Sequence, residues 1–297
     1  MKKLLYIFLF AVGFFNFSVK SQEIIEIAPL FEYPVAPEEI ESLSERCDYL
    51  VKNFWNNFDF KSKDPVDQYA LNEAVKVYTS TFPYATRKEV EISVDKLVEK
   101  ISGNPILLLQ FGKAAEENLY GPRAEFWADE LYLKFADAIV KNKKVSDSRK
   151  AKYKTQINTL RESLVGNTAP SFEFIDKNGD KKNYFPMTTP TLLFFGNPED
   201  TDWRLARLRM DSNFGLDDAI KKGKINILYI VPFESANWKS TVSNYNPYWV
   251  VGLSEDASKH YDIRLDPTIY VIGNDGKIIN KNVSVDQAVA SILETVS

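Results

Sequence analysis

Cysteine is nearly absent, with Cys47 the only one in 297 residues. One thiol closes no intramolecular bridge, so a disulfide-stapled scaffold is excluded, as is a metal centre built on paired cysteines. Histidine is equally scarce. His260 stands alone, which removes paired-histidine metal spacings and leaves one side chain whose ordinary titration falls near neutrality. Glycine-rich phosphate loops are missing. Basic charge is in deficit: 37 Lys and Arg face 41 Asp and Glu, for a formal net charge of −4. Nothing in that balance attracts a phosphate backbone, and nucleic acid is not an expected partner. Carboxylates are plentiful, yet no spacing among them marks a glycosidase pair. No stretch beyond the N-terminal one approaches the ~20 apolar residues of a membrane-spanning helix.

What is present describes a globular chain. Hydrophobic residues make up 44% and charged residues 26% of the sequence, and at roughly 100–200 residues per domain the length suits two domains. Lys2 and Lys3 precede an apolar run over residues 4–17, followed by Val19-Lys20-Ser21. This is the layout of a secretory signal over residues 1–21, with Gln22 as the mature N-terminus. No cysteine follows the run to carry a lipid. Loss of Lys2, Lys3 and Lys20 takes the net charge from −4 to −7, so the expected product is exported, acidic and free of a transmembrane segment.

Residues 22–36 read as an extended lead-in. From Pro37 to residue 164 the apolar period is helical, with six segments expected at about 37–58, 64–82, 86–102, 106–119, 121–139 and 147–164. Cys47 shares a face with Leu43, Leu50, Val51 and Phe54, as a small buried residue does; a reactive thiol is the alternative reading. Lys141, Lys143, Lys144, Arg149, Lys150, Lys152 and Lys154 form the one basic cluster, a solvated helix face or an anion contact. No repeat consensus emerges.

The pattern changes at Val165. Strands are expected near Phe172–Phe174, at 191–195, 225–231, 248–251, 267–272 and 277–280, with helices at 201–222, 236–243 and 284–296 between and after them. The fold class is therefore α+β in two domains: an all-α module over 22–164, then an α/β domain with a mixed central sheet over 165–297.

Four pieces of the second part carry a resemblance: Val165-Gly166-Asn167-Thr168-Ala169-Pro170-Ser171-Phe172, Pro190-Thr191-Leu192-Leu193-Phe194-Phe195, Pro267-Thr268-Ile269-Tyr270-Val271-Ile272 and Asn274-Asp275-Gly276-Lys277-Ile278-Ile279. In their order and spacing they resemble exported thioredoxin-like proteins related to the thiol-disulfide oxidoreductases of cytochrome c maturation and to alkyl hydroperoxide reductases. The helical part is similar to a domain of unknown function found in bacterial envelope proteins. The resemblance implies a periplasmic or outer-envelope location, and a Cys-x-x-Cys pair on the first turn of the helix after the first buried strand. Here that stretch is Gly196-Asn197-Pro198-Glu199-Asp200-Thr201-Asp202-Trp203, with Asp200 at the nucleophile position and Trp203 at the resolving one. Neither exchanges disulfides, so no catalytic residue and no cofactor carries over.

Asp200 suits a helix cap; a hard cation shared by Glu199, Asp200 and Asp202 is the sharper alternative. The resemblance also implies a cis peptide at Asp266–Pro267, and a groove lined by Glu199, Asp202, Trp203, Tyr229 and Asp266 that holds a protein or peptide of the cell envelope. Disulfide or peroxidase-like chemistry through Cys47 with a partner thiol, and non-catalytic binding of a metal or small ligand, are the competing functions. His260, with no nucleophile near it in sequence, reads as an exposed or capping residue.

Overall fold

The computed structural model describes residues 29–62, 64–186, 188–233 and 237–296. The expected signal segment, Gln22 and the start of the lead-in lie outside them.

Six helices come first: α1 (Leu43–Asn53), α2 (Gln68–Thr79), α3 (Arg87–Ser102), α4 (Pro105–Ala115), α5 (Asp129–Lys141) and α6 (Asp147–Glu162). Their apolar faces close one aromatic-rich core around Trp55, Tyr78, Phe111 and Tyr132. The helical period located these segments, but local polar groups moved their starts. Residues 37–42 are not helical: Arg46 Nη1 donates to Pro37 O and Ile40 O, at 3.2 and 2.9 Å, and Ser42 caps α1 instead. Leu43, expected on the buried face, is exposed. Residues 121–128 form a loop, because Trp127 Nε1 and Ala124 N both donate to Gly121 O, at 2.9 and 3.0 Å, and α5 begins eight residues later than expected.

The second part is a seven-stranded mixed sheet in the order β2-β1-β5-β4-β3-β6-β7. Its strands are β1 (Phe172–Asp176), β2 (Lys181–Tyr184), β3 (Thr191–Phe195), β4 (Asn226–Val231), β5 (Val250–Leu253), β6 (Thr268–Ile272) and β7 (Ile278–Lys281). β4 runs parallel to β3 and β5, and the remaining pairings are antiparallel. Both faces of β3 are buried, as its unbroken apolar run requires. Leu192 and Phe194 pack on one side under α7 (Thr201–Asp211), α8 (Phe214–Lys221) and α10 (Val285–Glu294); Leu193 and Phe195 pack on the other with Tyr261 and Tyr270. α9 (Trp238–Thr241) is a single turn after β4.

The single helix expected over 201–222 is two. Asn213 takes the N-cap of α8, its side chain accepting from Leu216 N at 2.9 Å, and this ends α7 at Asp211. The break leaves Phe214 exposed. Ser284 closes a reciprocal capping box with Gln287 at the start of α10.

Candidate functional site

The turn from β3 to α7 is built on a close approach. A Cβ at Gly196 would lie 2.3 Å from Asp266 Oδ1 and 2.8 Å from Trp203 Cε3, so only glycine lets the backbone pass between them. Asn197 Oδ1 then accepts from Glu199 N at 3.0 Å, and Asp200 Oδ1 accepts from Asp202 N at 2.8 Å and Trp203 N at 3.3 Å. Asp200 is thus the N-cap of α7, a role worth about 0.5–2 kcal/mol. Across the gap Asp266 Oδ1 accepts from Asn197 N at 3.0 Å, and the Asp266–Pro267 peptide is cis.

Glu199, Asp202 and Asp266 are exposed and Asp200 half-buried, and none of the four carboxylates has a basic partner among the described residues. Desolvation pushes the Asp266 carboxyl above its ordinary range, and the charges of Asp200 and Asp202 add to the shift against the Asn197 hydrogen bond. The end of the sheet at the β3–α7 turn therefore carries concentrated negative potential. Among the described residues no three His, Cys, Asp or Glu side chains are placed to hold a metal ion. The cation reading of Glu199, Asp200 and Asp202 is corrected accordingly: the three carboxylates do not converge, and Asp200 Oδ1 is engaged by backbone N–H groups.

Two residues expected in the groove are interior. Trp203 has 0% exposure: it stacks on Phe194 at 4.0 Å, meets Tyr229 edge-on at 3.9 Å, and donates from Nε1 to Tyr245 Oη at 3.2 Å. Tyr229 is equally buried and its hydroxyl pairs with that of Tyr245 at 3.2 Å. Burial first, and then that hydrogen bond, drive the Tyr229 phenol far above its ordinary value. A groove lined by these rings is corrected to a polar surface resting on them. The residue that the resemblance sets at the second thiol position is a core residue.

Cys47 is buried, and desolvation, with Asp48 adding to it, raises its thiol against the pull of Arg46. Reactive thiolates occupy the opposite environment, electropositive and accessible. His260 Nδ1 meets Glu162 Oε2 at 2.7 Å, joining the second part of the chain to the end of α6. In the lysine cluster Lys141, Lys152 and Lys154 pair with Asp137, Glu116 and Asp147, as on a solvated helix face.

Sequence reasoning missed the charged cluster at the junction of the two parts. Arg264 Nη2 donates to Asp129 Oδ1 at 2.6 Å, its Nε to Asp262 Oδ2 at 2.7 Å and its Nη1 to Tyr120 O at 2.8 Å. The guanidinium also lies 4.0 Å from the centre of the Tyr120 ring, a cation–π contact. Lys281 Nζ adds an ion pair with Asp129 Oδ2 at 2.6 Å. All four charged side chains are at most 10% exposed. Burial opposes the Arg264 charge, but Asp262 and Asp129 outweigh it and hold the guanidinium pKa above its ordinary value. The segment 262–264 so clamped to the helical part leads directly into Asp266 and Pro267. Asp129 and Tyr120 lie 135 and 144 residues from Arg264 in sequence, so no local spacing could have signalled the junction.

A mixed sheet with helices on the α7/α10 face, a helix opening immediately after the first buried strand and a proline opposite that helix start together decide the architecture. The second part has the thioredoxin-like fold. A thioredoxin-like protein from Bacteroides caccae is 18% identical with a TM-score of 0.75, covering 90% of this chain and 99% of its own. The thioredoxin domain of a thiol-disulfide oxidoreductase from Bacteroides vulgatus covers 45% of this chain and 99% of its own at 20% identity and a TM-score of 0.40. A conserved protein of unknown function from Bacteroides fragilis covers 44% of this chain and 99% of its own at 24% identity and a TM-score of 0.41. Residues 16–163 match the family described as Domain of unknown function (DUF5106). No curated protein matches. The thioredoxin-like part of this chain carries no Cys-x-x-Cys, because its only cysteine sits in α1.

Proposed function

We propose that this is an exported envelope protein whose thioredoxin-like domain, stripped of its thiols, binds a protein or extended peptide as a scaffold. The observation that carries the reading is the exchange at the β3–α7 turn: the nucleophile position holds a helix-capping aspartate and the resolving position a core tryptophan, while the surface around them keeps three further carboxylates, Glu199, Asp202 and Asp266, without a basic partner among the described residues. Disulfide exchange needs a stabilised thiolate and a second thiol beside it, and neither is present at that turn. The acidic rim favours a partner segment rich in Lys or Arg, recognised through charge complementarity and strongly salt-dependent in its association rate. Domain limits of 22–164 and 165–297 accompany this proposal, with the helical part holding the 262–266 segment in place.

The test is binding of three labelled unstructured peptides of equal length, with net charges of about +4, 0 and −4, at two salt concentrations. The reading expects preferential binding of the basic peptide, weakened by salt and lost in Glu199→Lys/Asp202→Lys. Equal binding of all three, or retention of the basic peptide by the variant, would place the function elsewhere on the molecule.

A further inference from the structure

Between α1 and α3 the helical part holds a pocket of about 260 Å³, smaller than the roughly 300–1,000 Å³ of drug-sized sites and so suited to a compact group. It shares no residue with the β3–α7 turn. Ser93 fixes the two helices to each other at this point: its Oγ donates to Val51 O at 2.7 Å and pairs with Tyr78 Oη at 2.7 Å. That contact sets Lys52, the neighbour of Val51, beside the α3 stripe of Ser93, Lys96 and Lys100, which steps of three and four residues put on one helix face. All three lysines line the pocket, together with the buried Trp55 and Leu97.

The charges are all of one sign. The chain as a whole is acidic, with a formal net charge of −4, yet no Asp or Glu lines this pocket. Asp95, next to Lys96 in sequence, is taken by Lys134 at 2.6 Å, and Glu99 is not among the lining residues. Among the described residues the ammonium groups of Lys52 and Lys96 have no hydrogen-bond or ion-pair partner, and Lys100 has only a cation–π contact with Phe60 at 5.0 Å. The three lysines are exposed, so a ligand reaches them from solvent. In the lysine cluster of α5 and α6, by contrast, Lys141, Lys152 and Lys154 are paired with carboxylates. Like charges four residues apart on a helix repel, and Lys52 adds a third to Lys96 and Lys100. An anion with more than one negative charge removes that repulsion, and ammonium groups bind phosphate as point charges. Asn56, also in the lining, gives one amide N–H to Asn53 Oδ1 at 3.0 Å and keeps another for a ligand oxygen.

We propose that the α1–α3 pocket binds a compact tetrahedral dianion, a phosphate or sulfate group, free or as the terminal monoester of a small molecule. Lys52, Lys96 and Lys100 neutralise the oxygens, and the body of an ester projects into solvent between them. This site stands or falls independently of peptide binding at Glu199 and Asp202.

The experiment is isothermal titration calorimetry on the chain from residue 22 onward at pH 8, where phosphate is mostly dianionic, with ionic strength held constant by potassium chloride. The probes are inorganic phosphate, inorganic sulfate, phenyl phosphate and acetate, and the fold of every variant is checked by circular dichroism. The expected result is one saturable site for phosphate, sulfate within about threefold of it, and acetate weaker by at least about tenfold. Lys96→Gln/Lys100→Gln should weaken phosphate by at least about tenfold, since one exposed ion pair contributes up to about fivefold. Lys143→Gln/Lys144→Gln removes the same charge from exposed positions of the other cluster and should leave phosphate binding unchanged. Absence of saturable phosphate binding, wild-type binding in a folded Lys96→Gln/Lys100→Gln, or an equal loss in Lys143→Gln/Lys144→Gln overturns the site. Acetate binding as tightly as phosphate overturns the ligand class. Phenyl phosphate should bind at least as tightly as inorganic phosphate; a loss of more than about tenfold overturns the ester form and restricts the site to the free ion. Should the double variant at Lys96 and Lys100 fail to fold, Lys52→Gln decides in its place: a loss of about three- to fivefold is expected, and unchanged affinity overturns the site.

Discussion

Replacing Trp203 by Ala separates an interior residue from a ligand-contacting one. In the structure the indole has no exposed surface, stacks against Phe194, meets the edge of Tyr229 and donates to Tyr245. Removing a fully buried Trp costs about 3–5 kcal/mol through lost transfer free energy and the cavity left behind. The two aromatic contacts add about 0.5–1.5 kcal/mol each beyond area burial. The hydrogen-bond loss is small by comparison, because Tyr245 Oη keeps its contact with the Tyr229 hydroxyl. The expected total is about 4–8 kcal/mol. A loss of 1 kcal/mol lowers Tm by roughly 4–8 °C in a 60–100-residue domain and by about 2–4 °C in one of 150–250 residues, and the thioredoxin-like part lies between the two. Thermal unfolding followed by near-UV circular dichroism should therefore show the Trp203→Ala transition lowered by about 8 °C or more, or the domain unfolded at room temperature. Trp203→Phe, which keeps a ring against Phe194, should recover part of the loss. A Trp203→Ala protein melting within 3 °C of wild type would refute the assignment of this residue to the core and restore it to the surface.

Three further outcomes follow from the same geometry. Arg264→Met strips the compensating charge from the buried Asp129 and Asp262 and should cost about 3–5 kcal/mol in urea unfolding; a change below 1 kcal/mol would mean that Lys281 alone neutralises both carboxylates. Asp266 has its folded carboxyl raised above the unfolded value of 3.8, so folding disfavours its charged form relative to the unfolded chain. Its contribution to stability is complete below pH 3.8 and is lost as pH rises through the folded value. Asp266→Asn, which can still accept from Asn197 N, should accordingly raise Tm at pH 7 and give no gain near pH 3; an equal effect at both would show that the carboxylate charge is irrelevant. Cys47 should resist a bulky aromatic disulfide reagent in the native protein and react fully in denaturant, whereas rapid native labelling would reopen chemistry at that thiol.

Periodicity made the two-part organisation legible. The 3.6-residue spacing between residues 43 and 162, and the unbroken apolar runs of β3, β4 and β6, are properties of single segments, and a segment that must bury one stripe or both faces writes that need into its own composition. The caps were equally readable: Asp200 and Ser284 satisfy backbone N–H groups within three residues of themselves. Helix starts were less so, because Arg46 and Trp127 claim carbonyls six to nine residues away and hold residues 37–42 and 121–128 out of the helical state.

What the sequence by itself determined is the alternation of elements, the four segments that carry the thioredoxin-like resemblance and the absence of a Cys-x-x-Cys pair, since each depends on residue identity at a position or on spacing within one segment; the sheet order was decided by long-range pairing. Tertiary structure alone decided which side of the β3–α7 turn each residue serves. Trp203 and Asp202 are adjacent in the chain, yet the indole enters the sheet–helix core while the carboxylate stays in solvent, because packing against Phe194 and Tyr229 sets the direction of the first turn of α7. It also decided the junction: Arg264, Asp129, Asp262 and Lys281 balance one another only once two separately cored parts are pressed together, and the physical demand they meet, that buried charges be paired, is felt only in the folded chain.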